Sequence, residues 1–242
     1  MKVDTGIIKS NTYIGKDVYK MEIQTDLADE VQCGQFVEVE VPNYFLRRPI
    51  SVCEVKEDHT IVLVYKVIGN GTRFMTTMHD EISLFGPCGN GFPVVDEDVL
   101  LIGGGVGVPP LLQTAKEYKK IGKNVSVVVG FNTKEDAILI DELKKYSDAL
   151  YIATMDGSEG TKGTVIDAIN ENNVDCEYVL SCGPLLMLKA INTKYTKGCI
   201  SLEARMACGI GACMGCVVKD NEGNSLRVCK DGPVFPIGKV VL

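Results

Sequence analysis

The first part of the chain carries short runs in which apolar and polar residues alternate. Residues 18–25 and 35–41 alternate clearly, residues 60–67 are rich in β-branched side chains, and residues 81–85 form a further short run. Alternation with a period of two places every second side chain on one face of a strand, and glycine and proline separate these runs. The pattern predicts a small antiparallel β-barrel over residues 1–96.

The pattern changes at Val99, where a short apolar run without alternation begins. Such a run is typical of a parallel strand that is buried on both faces. Strand-like and helix-like segments alternate from this point. Strands are predicted at residues 99–102, 125–129, 150–154, 178–181 and 200–202, and helices at about residues 109–121, 138–146, 164–170 and from residue 184. This order predicts a doubly wound parallel α/β sheet over residues 97–203.

A cysteine-rich segment, residues 204–242, forms the third predicted unit, so the fold class is multidomain. Cys208, Cys213, Cys216 and Cys229 follow the spacing C-x4-C-x2-C-x12-C. A tight loop that supplies three thiolates and a distant cysteine that supplies the fourth are typical of a plant-type [2Fe-2S] site. Glycine and alanine between the cysteines let backbone amides approach the sulfurs. The spacing therefore predicts a cluster that moves single electrons.

Composition narrows the class of protein and its partners. Among the 242 residues 45% are hydrophobic and 24% are charged, which is ordinary for a globular protein. The formal net charge of −7 argues against nucleic acid or an anionic membrane as a partner. No apolar run has the length of a membrane span, and the first residues lack the apolar stretch of a secretory leader, so we expect a cytoplasmic protein.

Ten cysteines are many for such a chain, and four of them are assigned to the cluster. The others outside the strand-end motif described below are read as small apolar core residues without an assigned role; they are Cys33, Cys53, Cys88, Cys176 and Cys199. The two histidines, His59 and His79, lie among polar residues and are expected on the surface. No histidine catalyst is therefore predicted, and redox chemistry on a cofactor would need none.

Two turns at the carboxyl ends of predicted strands are candidates for nucleotide binding. The first contains Gly103, Gly104, Gly105, Val106 and Gly107 and leads through a proline pair into a helix. Glycines let a phosphate approach the backbone at a helix N-terminus, although the turn does not match G-x-G-x-x-G and could be purely structural. The second turn contains Cys182, Gly183 and Pro184. It is either a plain turn or the surroundings of a nicotinamide ring.

The barrel segment Arg48-Pro49-Ile50-Ser51, together with the predicted sheet and cluster, resembles the ferredoxin reductase superfamily. The resemblance implies an FAD site in the barrel. It implies that Arg48 meets the FAD pyrophosphate and that Ser51 lies near flavin N5, with Cys182 as the second tentative catalytic residue. The remaining residues implied to contact FAD are Pro49, Ile50, Tyr65, Lys66, Val67, Gly71 and Thr72.

A closer resemblance is to the electron-transfer subunits of class 1B dihydroorotate dehydrogenase. It rests on residues 48–51, 85–92, 103–110, 201–216 and 227–235, which span nearly the whole chain in the order found in that family. The resemblance implies a catalytic partner that contains FMN, in a heterotetramer with two copies of each subunit. Electrons from dihydroorotate would pass through the cluster and FAD to NAD⁺, in pyrimidine biosynthesis.

NAD rather than NADP is favoured by the segment after the second parallel strand. Residues 130–136 contain acidic residues and no arginine that could hold a 2′-phosphate. Lys134 is the only cation in that segment. The sequence therefore predicts NAD as the nicotinamide cofactor.

Two other functions compete with this interpretation. Subunits of bifurcating NADH-dependent ferredoxin:NADP reductases and of sulfhydrogenases are similar to this chain and would keep the same cofactors. Alternatively, four cysteines could hold Zn²⁺ in a binding module without redox activity, although zinc sites usually pair two C-x2-C knuckles. Apolar residues beside the cluster, namely Met206, Ile210 and Met214, are expected either to contact the catalytic partner or to pack on the cluster.

Overall fold

The computed structural model describes all residues from Met1 to Leu242. It contains fifteen strands and five α-helices. The barrel strands are β1 (Lys2–Gly15), β2 (Val18–Gln24), β3 (Phe36–Val39), β4 (Arg48–Lys56), β5 (Thr60–Lys66) and β6 (Glu81–Cys88). The remaining strands are β7 (Val99–Gly104), β8 (Val125–Phe131), β9 (Ala149–Thr154), β10 (Thr161–Lys162), β11 (Val179–Cys182), β12 (Gly198–Ser201), β13 (Val217–Lys219), β14 (Ser225–Arg227) and β15 (Val234–Pro236).

The helices are α1 (Asn70–Met75), α2 (Pro109–Lys120), α3 (Ile140–Lys145), α4 (Val165–Glu171) and α5 (Leu185–Lys194). Helix α1 follows the barrel strand β5, whereas α2 to α5 connect or flank strands of the larger sheet. None of these helices combines the length and the apolar character that crossing a membrane requires.

Six strands close the barrel in the order β1-β2-β5-β4-β3-β6, and all pairs between them are antiparallel. Alternate side chains of these strands fill an apolar interior in which Met21, Ile23, Leu63 and Leu84 are completely buried. The predicted barrel is thereby confirmed. The pattern had not revealed β1 and β4, because most side chains of β1 are exposed or half-buried and β4 begins with the sequence Arg-Pro.

The larger sheet has the strand order β10-β9-β8-β7-β11-β12-β15 and is parallel from β10 to β12. Every residue of the central strand β7 is buried, as expected for a strand that helices cover on both faces. Helix α2 begins with Pro109 and Pro110. An N–H group at these positions would have no partner within the helix, so the prolines cost no hydrogen bond. The predicted doubly wound α/β sheet is confirmed.

The cysteine-rich segment does not form an isolated unit. Strands β13 and β14 pair as a small hairpin, and β15 then adds to the larger sheet antiparallel to β12. Cys216, Cys229 and Phe235 share one apolar cluster with Phe36 and Cys88 of the barrel. The C-terminal segment is therefore packed against both preceding units.

Asn90, which follows β6, joins the end of the barrel to the C-terminal segment. Its side-chain amide donates to the carbonyl oxygens of Asp231 at 3.2 Å and Val234 at 3.1 Å. Its side-chain oxygen accepts from the N–H of Val234 at 3.2 Å. One side chain thus completes three hydrogen bonds to a segment about 140 residues away.

We expect Asn90→Ala to lower the free energy of unfolding by about 1–3 kcal/mol, because three hydrogen bonds are lost and two carbonyl groups lose a donor. Chemical denaturation of the holoprotein measures this. Asn70→Ala is the control, since Asn70 is an exposed first residue of α1. Equal stability of the two variants would show that Asn90 does not hold the units together.

Candidate functional site

The four cysteines of the motif lie together as two pairs. The sulfurs of Cys216 and Cys229 are 3.3 Å apart, and the Cys213 side chain lies within hydrogen-bonding reach of Cys208. No group of three or more metal-binding side chains surrounds one position that a single ion could take. Two pairs of thiolates suit a cluster of two irons, in which each iron takes two protein ligands.

Backbone N–H groups surround the sulfurs of these cysteines. Gly211 N donates to Cys229 Sγ at 3.1 Å, and the N–H groups of Ala212 and Cys213 both donate to Cys208 Sγ at 3.3 Å. Burial raises the pKa of the Cys208 thiol, but hydrogen bonds from the N–H groups of Cys213, Ile210 and Ala212 and from the Cys213 side chain outweigh it and lower the pKa to about 6. Burial and the neighbouring Cys216 raise the pKa of Cys229 to about 12. N–H donors nevertheless point at both the Cys208 and the Cys229 sulfur, as suits thiolates that hold iron, so the residues present fit the predicted cluster.

Glu38 of β3 lies directly beside the cysteine loop. Its side chain is 2% exposed, and neither carboxyl oxygen has a hydrogen-bond partner. A side chain at Gly209 would come within 2.9 Å of the Glu38 carboxyl group. Burial raises the pKa of Glu38 to about 7, with Arg47 opposing this effect. A buried carboxyl group thus contacts the segment that presents Cys208.

A cavity of about 300 Å³ lies where the barrel, the larger sheet and the cysteine-rich segment meet. The barrel contributes residues of β4 and β5, the sheet contributes Val106, Pro109 and Cys182, and the segment after β12 contributes Glu203 and Met206. Met206 is two positions before Cys208, so one end of this cavity borders the cysteine loop. A group bound here would lie beside both the cysteine loop and the glycine-rich turn.

Most residues that the resemblance assigned to FAD line this cavity. They are Arg48, Pro49, Ile50, Ser51, Tyr65, Lys66 and Thr72. Val67 and Gly71 do not line it. Gly71 lies instead against the guanidinium of Arg48, where any side chain would collide with it, and the ring of Tyr44 covers the same guanidinium at 4.9 Å. Gly71 thus leaves room for the guanidinium, and Tyr44 packs on it at one side of the cavity.

A second cavity of about 300 Å³ lies at the carboxyl ends of β7, β8, β9 and β11. Gly104, Gly105 and Pro184 line it, together with residues such as Phe131 and Asn132. Ligands of open α/β sheets bind at this edge, outside the carboxyl ends of the strands. Of the residues predicted for NAD, Val106 and Cys182 face the first cavity instead, so the two turns separate the two cavities.

Gly103, Gly107 and Gly183 line neither cavity and serve the packing of the two turns. A side chain at Gly107 would overlap the carbonyl group of Cys182 and the Cα atom of Gly183. A side chain at Gly103 would meet Leu111 and Val108 of the following segment. The glycine-rich turn can therefore lie directly against the second turn, which brings Cys182 beside Val106.

Glu203 is a cavity residue that the sequence motifs had not singled out. It lines the first cavity with Ser51 and Cys182, and burial raises the pKa of its carboxyl group. The side chain faces the open cavity, yet protein surrounds enough of it to disfavour the charged form. Its position directly after β12, at the same sheet edge as both turns, was the signal that could have identified it.

Comparisons with known proteins agree with this geometry. Residues 203–241 match the family model described as the iron-sulfur cluster binding domain of dihydroorotate dehydrogenase B. Residues 101–193 match the model described as the oxidoreductase NAD-binding domain. The first match contains all four cysteines, and the second contains both turns.

Curated relatives match over the whole length of the chain. A dihydroorotate dehydrogenase B (NAD(+)) electron transfer subunit of Fusobacterium nucleatum subsp. nucleatum is 42% identical, with 97% of each chain covered. The chain belongs to this family of electron transfer subunits. The Bacillus cereus member is 40% identical, with 100% of both chains covered. The resemblance inferred from the motifs is confirmed, as are the iron–sulfur and NAD-binding domains.

Solved structures share the fold of this chain. A chain from the structure of an NADH-dependent reduced ferredoxin-NADP oxidoreductase, described in connection with flavin-based electron bifurcation, has a TM-score of 0.89 and 32% identity, covering 98% of this chain and 89% of that chain. A ferredoxin NADP⁺ reductase from Neisseria gonorrhoeae with bound FAD and NADP shares the fold at a TM-score of 0.65 and 19% identity, covering 78% of this chain and 88% of that chain. Both structures agree with the observed arrangement of barrel and parallel sheet.

The buried thiol of Cys182 gives a test of the site geometry. Burial raises its pKa to about 12, so only about one molecule in 10⁴ carries the thiolate at pH 8. We expect iodoacetamide to leave Cys182 of the native holoprotein unmodified at pH 8 and to modify it after unfolding. Mass spectrometry of digests measures this, and the half-buried Cys176 is the internal comparison. Equal reaction rates of the two thiols would contradict the structure.

Proposed function

We propose that this chain binds FAD and a [2Fe-2S] cluster and carries electrons from a dihydroorotate-oxidising catalytic subunit to NAD⁺. The supporting observation is the cavity that the barrel, the larger sheet and the cysteine-rich segment line together. A flavin exchanges a hydride with a nicotinamide and single electrons with an iron–sulfur cluster. The chain would thus connect a two-electron donor or acceptor with a one-electron carrier, in the biosynthesis of pyrimidines.

In this proposal the barrel residues bind and orient the flavin. Arg48, which packs on Tyr44 in the space that Gly71 leaves, would pair with the pyrophosphate, since a guanidinium suits phosphate oxygens. Ser51 would lie near flavin N5, and Tyr65 and Lys66 would line the ring system. The hydroxyl of Tyr65 donates to Asn11 at 3.0 Å, which fixes the position of that ring. Val67, Gly71 and Thr72 complete the proposed FAD site.

The two turns at the sheet edge would bind NAD. Gly104 and Gly105 border the second cavity ahead of α2, where the absence of side chains would let a phosphate approach the backbone. Cys182 and Val106 face the first cavity, so a nicotinamide held near them would approach the flavin. The boundary between the two cavities would be shaped by Gly103, Gly107, Gly183 and Pro184.

The two irons of the cluster would be bound by Cys208, Cys213, Cys216 and Cys229.

We also propose that the catalytic partner contains FMN, that two copies of each subunit assemble, and that the complex is cytoplasmic. The exposed loop around Cys213 supports a partner at this position, because electron transfer requires the cluster to lie close to the partner's cofactor. Ile210 and Met214 expose 42% and 50% of their surfaces beside that loop, while Met206 is half-buried at the cavity.

A second function keeps the cofactors and changes the partner. The 32% identical chain from a bifurcating NADH-dependent oxidoreductase supports it, although the curated electron transfer subunits are more similar at 40–42% identity. Purification of the native complex separates the two functions. An FMN-containing dihydroorotate dehydrogenase supports the first, and an NADP-binding flavoprotein supports the second.

The decisive experiment for the cofactor assignment is a visible absorption spectrum of the purified chain, followed by anaerobic addition of NADH. We expect flavin bands with iron–sulfur shoulders that NADH bleaches, because the proposed nicotinamide and cluster sites both border the cavity proposed for FAD. The matched control is Cys229→Ser, which should lose the iron–sulfur shoulders and keep the flavin bands. A colourless protein that contains zinc after reconstitution with iron would overturn the proposal.

Replacing Met214 by Asp should weaken the complex with the catalytic subunit about tenfold or more, because a charge would enter an apolar contact. Met214 has φ 58°, a conformation that Asp adopts more easily than Met, so the loop itself should tolerate the change. Analytical ultracentrifugation with the catalytic subunit measures the affinity, and the flavin and cluster spectra report the integrity of the chain.

Ile121→Asp is the matched control for this variant. Ile121 exposes 48% of its surface in the turn after α2, at the opposite edge of the larger sheet. The same charge should leave the affinity unchanged there. Normal complex formation by the Met214 variant would show that the cysteine loop is not part of the interface.

A further inference from the structure

The loop between β9 and β10 lies against the segment where a nucleotide-binding sheet distinguishes NAD from NADP. In such sheets the residues after the second parallel strand contact the adenosine ribose, and a nearby cation accommodates the 2′-phosphate of NADP. Here the second parallel strand is β8, and Phe131 and Asn132 at its end line the second cavity. The first charged residue after them is Lys134.

Hydrogen bonds join the β9–β10 loop to the end of β8. Met155 N donates to the carbonyl oxygen of Phe131 at 3.1 Å, and Asp156 N donates to that of Asn132 at 3.3 Å. Lys134 N donates to Ser158 Oγ at 2.8 Å, and Ser158 Oγ donates to Asp156 Oδ1 at 2.6 Å. The two segments therefore form one continuous rim of the cavity.

The cation on this rim already has a partner. Lys134 Nζ lies 2.9 Å from Glu159 Oε2 of the β9–β10 loop. Glu159 is the more enclosed member, with 37% of its side chain exposed against 68% for Lys134. Hydrogen bonding to Glu159 raises the pKa of Lys134, so the amine stays charged and paired. A 2′-phosphate would have to displace this carboxylate.

The other charges on the rim make that displacement harder. Glu135, Asp136 and Asp156 carry three further carboxylates on the same two segments. Lys162 of β10 is the other cation nearby, and its aliphatic stem packs on Gly157 rather than on an acidic residue. Carboxylates thus outnumber cations on this rim, which opposes an added phosphate dianion.

We propose that Glu159 is a specificity-determining residue, which pairs with Lys134 and thereby makes the nucleotide site accept NAD(H) and reject NADP(H). The inference rests on the proposed NAD site at the glycine-rich turn. The side chain acts on the 2′ position of the adenosine ribose alone. It therefore should not influence how the nicotinamide half binds or reacts.

The test uses the holoprotein and two probes that lack nicotinamide, 5′-ADP and 2′,5′-ADP, in isothermal titration calorimetry. Wild-type protein should bind 5′-ADP at least about tenfold more tightly than 2′,5′-ADP. Glu159→Gln keeps the shape of the side chain and releases Lys134. We expect it to raise the affinity for 2′,5′-ADP about fivefold and to leave the affinity for 5′-ADP unchanged.

Three further variants identify the cation on which the gain in affinity for 2′,5′-ADP depends. Glu135→Gln removes the same charge from a neighbouring exposed position while Lys134 stays paired, and should raise the affinity for 2′,5′-ADP less than twofold. Adding Lys134→Ala to Glu159→Gln should abolish the gain. Adding Lys162→Ala instead should preserve the gain.

The outcomes separate this inference from the proposed function. An unchanged affinity of Glu159→Gln for 2′,5′-ADP, or an equal gain in Glu135→Gln, would overturn the role of Glu159 and leave the nucleotide site intact. A gain that depends on Lys162 would also overturn it. If 5′-ADP did not bind the wild-type protein, the assignment of the nucleotide site would fail, and the inference with it.

Discussion

The arrangement of this protein depends on how negative sulfur atoms are stabilised in a partly exposed loop. Backbone N–H groups of Gly211, Ala212 and Cys213 point at the sulfurs of Cys229 and Cys208. They can do so because glycine and alanine occupy most positions between the cysteines, while the larger side chains of Ile210 and Met214 are exposed. With its larger apolar side chains exposed, the loop has no core of its own and depends on the neighbouring units for support.

That support comes from the barrel and the sheet together. Cys216 and Cys229 pack with Phe36 and Cys88, and β15 attaches the end of the segment to β12. Asn90 adds hydrogen bonds across the same junction. The first cavity lies at this junction, so the contacts that hold the cysteine loop in place also determine the shape of the proposed flavin site.

The sequence predicted the parts of the fold that have a strong local signal. Buried strands such as β7 and helices such as α2, with its two prolines, appear close to their predicted bounds. The cysteine spacing predicted the cluster ligands because that chemistry requires a specific order of residues, and the fold brings these four cysteines together. Strand β1 was missed because both of its faces are largely exposed, and β15 was missed because its three residues pair only through tertiary contact.

The same distinction applies to the site. Arg48 and Ser51 belong to a motif that predicted them as site residues, whereas Glu38 and Glu203 are ordinary acidic residues in the sequence. The pKa of Glu38 is raised because segments distant along the chain bury it, whereas Glu203 is exposed to the open cavity and is only partly surrounded by protein. Lys134 was recognised as a cation that bears on the choice of nicotinamide, but its partner Glu159 lies 25 positions away. Local patterns therefore identify the groups, and only the folded chain determines their neighbours.

The pairing of β15 with β12 also constrains how the protein is made. Until residues 234–236 have left the ribosome, the outer edge of β12 has no partner, although most of its sheet has already been synthesised. An unpaired strand edge invites association with other chains. The last of the four cysteines, Cys229, emerges only five residues before Val234. Closure of the sheet edge and exposure of the fourth cysteine therefore fall close together during synthesis, so a nascent chain with an open β12 edge also lacks part of its cysteine set.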